Sequence, residues 1–315
     1  DTVAAAYRAA QRIADQVICT PLRHSAVFSE RMDAEVWFKL ENLQTTGSFK
    51  LRGATNRLLT LTDEQRARGC VAASSGNHGA AVACAMQRLG VSGTIFVPQH
   101  TSPLKVEKMI GFGATVEFFG DDGLDTEEHA RTYAEQRGMV FLSPYNDEEV
   151  IAGQGTCGIE IIEEMPDVDA VFVAVGGGGL IGGVGAVLEQ HNPDIRVVGC
   201  QPTASPVMMR SIEAGRIVDM PSEPTLSDGT AGGIETDSVT FALNQAVVDD
   251  WIEVSEQQIA DAMCRYMDCE DDVIEGAAGV AIAGMLSCAE ELAGKKVVVI
   301  ICGGNVSDDV LASIR

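Results

Sequence analysis

Short apolar runs alternate with stretches of helical period along most of the chain. Residues 69–75 (GCVAASS) read as a buried strand. Residues 77–90 (NHGAAVACAMQRLG) read as a helix of small, closely packing residues stopped by Gly90. The rhythm continues with a strand at 92–98, a helix at 103–113, a strand at 114–120, a helix at 125–138 and a strand at 139–143. The 125–138 segment carries acids near its start and Arg137 near its end, as a helix dipole favours. Runs at 169–179, 195–202 and 295–305 are almost continuously apolar, the pattern of strands buried on both faces of a parallel sheet. Strand–helix–strand repetition with right-handed crossovers predicts an α/β architecture of parallel sheets flanked by helices. Residues 69–146 form a compact set of such units and are expected to be a small domain, with 1–68 and 147–315 making the large one. Residues 220–233 (MPSEPTLSDGTAGG) predict a long loop. No internal repeat is present.

Composition narrows the partners. With 315 residues the chain can bury a large core. Its formal charge of -24 excludes nucleic acid, whose phosphates require clustered Lys and Arg, and disfavours an anionic membrane surface. An acidic solvated surface, as in a salt-adapted cytoplasm, accounts for it. The nine cysteines are scattered, mostly in apolar runs, with no C-x-x-C pair and no zinc spacing. They fit a reducing, cytoplasmic compartment better than a disulfide scaffold. No apolar run is long enough to span a bilayer, and no secretory leader is recognised.

In a parallel α/β sheet, ligands bind in the crevice beyond the carboxyl ends of the strands. After the strand at 69–73 comes SSGNHG (74–79), opening a helix. Free N–H groups there suit a carboxylate; the alternative is that Ser75 or Asn77 caps the helix. After 169–175 comes GGGGLIGG (176–183), where successive glycines let backbone amides close on a phosphate. A nicotinamide dinucleotide site is the competing reading, because Gly177, Gly179 and Gly182 spell G-x-G-x-x-G. The acid that should end the next strand is Gln201 instead. A tight packing turn is the third. After 297–301 comes CGGN (302–305), with Cys302 at a strand end; alone it reads as a core cysteine.

Lys50, one of six lysines, stands in TTGSFKLRGA (45–54) beside Phe49. Alone it reads as a surface lysine with a pKa of about 10.4. Burial would lower that value and make a Schiff-base amine. A turn-borne lysine, a phosphate cradle and an anion-binding turn together suit a phosphorylated aldehyde cofactor, pyridoxal 5'-phosphate.

SFKLRGA, SSGNHG, AGQGT, GGGGL and CGGN, in this order, resemble the fold-type II pyridoxal phosphate enzymes, which share the tryptophan synthase β-like two-domain fold. The resemblance spans essentially the whole chain and is strongest to the serine/threonine dehydratase and serine racemase branch. It implies that Lys50 forms the Schiff base and then acts as general base, with Phe49 beside the cofactor ring. Asn77 would bond the ring hydroxyl, and Gly176, Gly177, Gly178 and Gly179 would hold the phosphate. Cys302 would face the pyridine nitrogen where Ser or Thr is usual, a weaker partner that still supplies no carboxylate. Ser74, Ser75, Gly76, Asn77 and His78 would receive the substrate carboxylate.

The implied activity is β-elimination from a β-hydroxy amino acid such as L-threonine or L-serine, giving a 2-oxo acid and ammonia. Ser75 matches the acid/base of the racemase relatives, so a serine- or aspartate-type racemase is the alternative. A dehydratase of hydroxyaspartate or of a hydroxyectoine-derived amino acid is another, because residues 224–241 depart from the usual loop. Gln201 and Val207 stand where metal-binding relatives carry acids, so no metal site is expected. A homodimer is the common assembly of the family.

Overall fold

The computed structural model describes all 315 residues and contains two sheets, as the alternating pattern requires. The strands are β1 (Leu22–His24), β2 (Glu35–Lys39), β3 (Cys70–Ala73), β4 (Gly93–Val97), β5 (Thr115–Phe118), β6 (Val140–Phe141), β7 (Ala170–Ala174), β8 (Arg196–Pro202), β9 (Asp250–Val254) and β10 (Lys296–Ile300). The larger sheet has the order β1-β2-β10-β7-β8-β9, and the smaller β5-β4-β3-β6. Every pairing is parallel except β1 with β2. β7 is buried along its whole length and β10 at all but its first residue. One face of this sheet is covered by the Gly276–Ser287 helix, whose residues 276–285 are all buried. Apolar residues of both layers join in one core of 52 buried side chains.

The departures from the sequence pattern are local. The strand expected at 139–143 shrinks to Val140–Phe141, because the chain leaves the sheet edge toward Pro144. The helix expected from 125 begins at Gly123, where the Asp122 carboxylate accepts the Asp125 N–H at 2.9 Å. Gly90 ends its helix in the left-handed conformation, with φ of 63°. The 220–233 segment is irregular, apart from one 3-10 turn at Asp228–Thr230. No helix is long and apolar enough to cross a membrane.

The Lys50–Leu59 helix is the structural hinge of the site. Its Leu51, Ala54 and Leu58 belong to the core of the small sheet, while its opposite face lies on the Glu148–Glu164 helix. Gly53 and Gly153 make that crossing possible: a Cβ on Gly153 would stand 2.6 Å from Gly53 Cα. The helix therefore runs between the two cores, and its first residue, Lys50, emerges where they meet.

Candidate active site

A cavity of about 620 Å³ opens between the two sheets. It is lined by Phe49, Lys50, residues 74–78 and 176–179, Tyr145, Glu275, Cys302 and Asn305, among others. All the site residues singled out in the sequence thus reach one space. Backbone links fix the mouth of β10 against the turn before Lys50 and against Glu275. Phe49 N–H donates to Cys302 O at 3.0 Å, Gly304 N–H to Gly47 O at 2.9 Å and Glu275 N–H to Gly303 O at 3.1 Å. Ser48 and Gly303 form an isolated bridge.

Lys50 Nζ donates to Pro144 O at 2.9 Å and lies 5.1 Å from the Phe49 ring centre. Burial lowers its pKa to about 8. Under it, Arg52 is fully buried and held in a two-sided fork. It donates to both Glu41 oxygens at 2.8 Å, to Glu160 at 2.6 and 2.7 Å, and to Thr156 Oγ1 at 3.0 Å. This rigid base fixes the first turn of the helix that presents the amine.

Two helix N-termini face the cavity without side-chain caps. The Gly179–His191 helix starts from Gly178, which takes φ of 82°, a conformation that favours glycine. A Cβ there would also collide with the buried Asn244 carboxamide. The Asn77–Leu89 helix starts from Gly76; neither Ser75 nor Asn77 caps it. The capping alternative is therefore set aside, and the N–H groups of both helices remain available to anions. Ser75 Oγ makes no hydrogen bond within the chain, whereas Ser74 Oγ accepts the Gly76 N–H at 3.2 Å. His78 is buried with Nε2 bonded to Leu142 O at 2.8 Å. Burial holds its pKa down to about 3, so the ring is neutral and Nε2 is the donor. What this residue offers a carboxylate is its backbone N–H rather than a charge.

The sequence reasoning missed Glu275. It is buried, with both oxygens bonded to Asn77 Nδ2 at 2.9 Å and Oε2 to Asn305 N–H at 3.1 Å. Burial raises its pKa to about 7. A signal existed: Glu275 directly opens the apolar run GAAGVAIAGM, where a charge has no solvent on the following side. Tyr145 was also missed. Its ring packs against Gly177, its backbone against Gly179, and its hydroxyl accepts the Glu235 N–H at 3.0 Å. Cys302 is buried and burial pushes its thiol well up, so it stays protonated.

A buried amine of lowered pKa, a glycine turn at one uncapped helix N-terminus and a second uncapped helix N-terminus facing the same cavity suit an enzyme that holds a phosphorylated aldehyde cofactor. The residues fit that group: Cβ atoms on Gly176–Gly179 would collide with Thr230, Tyr145 and Asn244, so only glycines permit this turn, and the helix it opens has no side-chain cap on its N–H groups. Comparison with known proteins gives the family. Residues 13–303 match the family described as pyridoxal-phosphate dependent enzyme, and the chain belongs to it. It is 42% identical to an L-threonine ammonia-lyase of Thermotoga maritima, over 97% of this chain and 76% of that protein. It is 39% identical to a catabolic L-threonine dehydratase of Escherichia coli, over 95% and 91%. The processed threonine deaminase isoform 2 of Solanum lycopersicum superposes with a TM-score of 0.96 at 31% identity, covering 99% of this chain and 86% of that one.

Proposed function

We propose that the protein is an ammonia-lyase that removes water and then ammonia from a β-hydroxy amino acid such as L-threonine or L-serine, leaving a 2-oxo acid. The observation that carries this is the placement of Lys50, a buried amine of pKa about 8 held at the junction of the two sheets. Bound pyridoxal phosphate supplies the electron sink for charge that develops at the substrate Cα. Lys50 Nζ would hold the cofactor's aldehyde carbon and would serve as the base for the Cα proton. Residues 176–179 hold the phosphate on open backbone N–H groups. Residues 74–78 orient the substrate carboxylate, with Asn77 braced by Glu275 and Asn305. The protonated Cys302 thiol offers the pyridine nitrogen no negative charge. This limits electron withdrawal and favours elimination over transamination.

The free hydroxyl of Ser75 supports a secondary racemase activity, in which it serves as the second acid/base. We also hold the protein to be a cytoplasmic homodimer with no nucleic-acid partner. Its nine free thiols suit a reducing compartment, and its acidic surface repels phosphate backbones.

The test is release of ammonia and 2-oxo acid by the cofactor-loaded protein given L-threonine and L-serine. Turnover lost by at least 10³-fold in Lys50→Ala, together with the cofactor's visible absorption, is the expected result. Inversion of recovered substrate without ammonia would make the protein a racemase instead.

A further inference from the structure

Four of the six lysines have carboxylate partners. Lys39 pairs with Glu160 at 2.7 Å, Lys105 with Asp228 at 3.9 Å, Lys295 with Asp169 at 3.7 Å and Lys296 with Asp167 at 2.5 Å. In a chain with 46 acidic residues, the two lysines that form no ion pair are Lys50 and Lys108, and both line the cavity. Lys50 is accounted for. Lys108, on the Pro103–Gly111 helix, donates to two neutral acceptors, Thr46 O at 3.1 Å and Asn305 Oδ1 at 2.7 Å. Asn305 in turn donates to Asn77 Oδ1 at 2.7 Å, so this ammonium adjoins the turn that orients the substrate.

The site therefore has three places for negative charge. The Gly178 cradle takes the phosphate and the Asn77 turn takes the α-carboxylate; the third, Lys108, has no anion assigned. We infer that Lys108 is a specificity residue that reads a second carboxylate on the substrate's β-carbon, making a β-hydroxy dicarboxylic amino acid of the 3-hydroxyaspartate type the preferred substrate. A cation held by neutral carbonyls keeps its charge for such a ligand, whereas Lys105, which also lines the cavity, is paired with Asp228. The inference rests on the ammonia-lyase reading. The reaction balances without an oxidant: the Cα–H and Cβ–O bonds break, water leaves, and the resulting enamine becomes an imine that takes back one water. The net products are oxaloacetate and ammonia.

The experiment compares wild type, Lys108→Met and Lys108→Arg as cofactor-loaded enzymes with L-threo-3-hydroxyaspartate and L-threonine. The readout is the ratio of the two kcat/KM values, which loss of folded protein does not alter. Lys108→Met is expected to lower the ratio of hydroxyaspartate to threonine by about 10- to 100-fold, the size of one charge-assisted hydrogen bond, chiefly through KM. Lys108→Arg is expected to restore part of it. A ratio that moves less than threefold overturns the inference and leaves Lys108 a pin between the Pro103–Gly111 helix and the Thr46 turn. Binding of L-aspartate against L-alanine, followed by the visible spectrum, separates the two levels of the account. A Lys108-dependent preference for aspartate without ammonia release from any substrate sinks the lyase reading and keeps the charge reading. No preference sinks the charge reading, whatever the turnover.

Discussion

Glu275 ties the electrostatics of the cavity to its architecture. Its carboxyl has an ordinary pKa of 4.5 in the unfolded chain and about 7 in the native protein, because burial penalises its charge. Between those values the native state holds a proton that the unfolded state has released, so stability falls as pH rises from about 4.5 to 7. Glu275→Gln removes this term. In the cofactor-free protein, the variant is expected to gain on wild type by about 2–3 kcal/mol as pH goes from 5 to 8. Denaturant melts at both pH values check this, and a difference independent of pH would contradict it. Lys50 titrates in the opposite sense. Its amine is cationic below pH about 8 and nucleophilic above it. Cofactor uptake by the cofactor-free protein is therefore expected to accelerate through pH about 8, measured as growth of the visible band. A rate flat from pH 6 to 9 would contradict a buried, depressed amine.

At the scale of the element, the Lys50–Leu59 helix does most of the positioning. Its motif carried the lysine in plain view, but the sequence did not show what holds the helix. Glu41 and Glu160 lie 11 and 108 residues from Arg52, and the three meet only through the fold. Removing one partner of a buried charged cluster strands the others. Arg52→Ala is expected to cost about 3–5 kcal/mol, read as a lower denaturant midpoint. Arg52→Lys is expected to recover little of this, because an ammonium cannot make the two forked contacts. Full recovery by lysine would show that charge alone matters there. Glu275 was hidden for a similar reason: its partners Asn77 and Asn305 lie far along the chain. The long valine- and isoleucine-rich strands were legible because burial on both faces leaves an uninterrupted apolar run. β1, β2 and β9 were not, because these strands mix polar and apolar residues, and β9 is only partly buried.

For the whole molecule, the motifs gave the cofactor and the convergence of the glycine cradle, the Asn77 turn and Lys50, since strand ends on one side of a parallel sheet share a crevice. They could not give the cross-cleft contacts, such as Arg131 with Glu235 at 2.8 Å and Lys108 with the Thr46 turn. Those depend on how two cores sit against each other. The net charge of -24 also acts at this scale. Self-repulsion of like charge is screened by salt, so the thermal midpoint is expected to rise between about 10 mM and 500 mM NaCl. A falling midpoint would mean that the surface ion pairs outweigh the repulsion.

The central claim is that Lys50, among six lysines, is the covalent anchor of the cofactor. Borohydride reduction of the cofactor-loaded protein fixes any Schiff base as a stable amine, and mass mapping of the digest locates it. The expected result is a single pyridoxyl group on the peptide that contains Lys50. A label on the peptide carrying Lys105 or Lys108, or no label at all, would contradict the account.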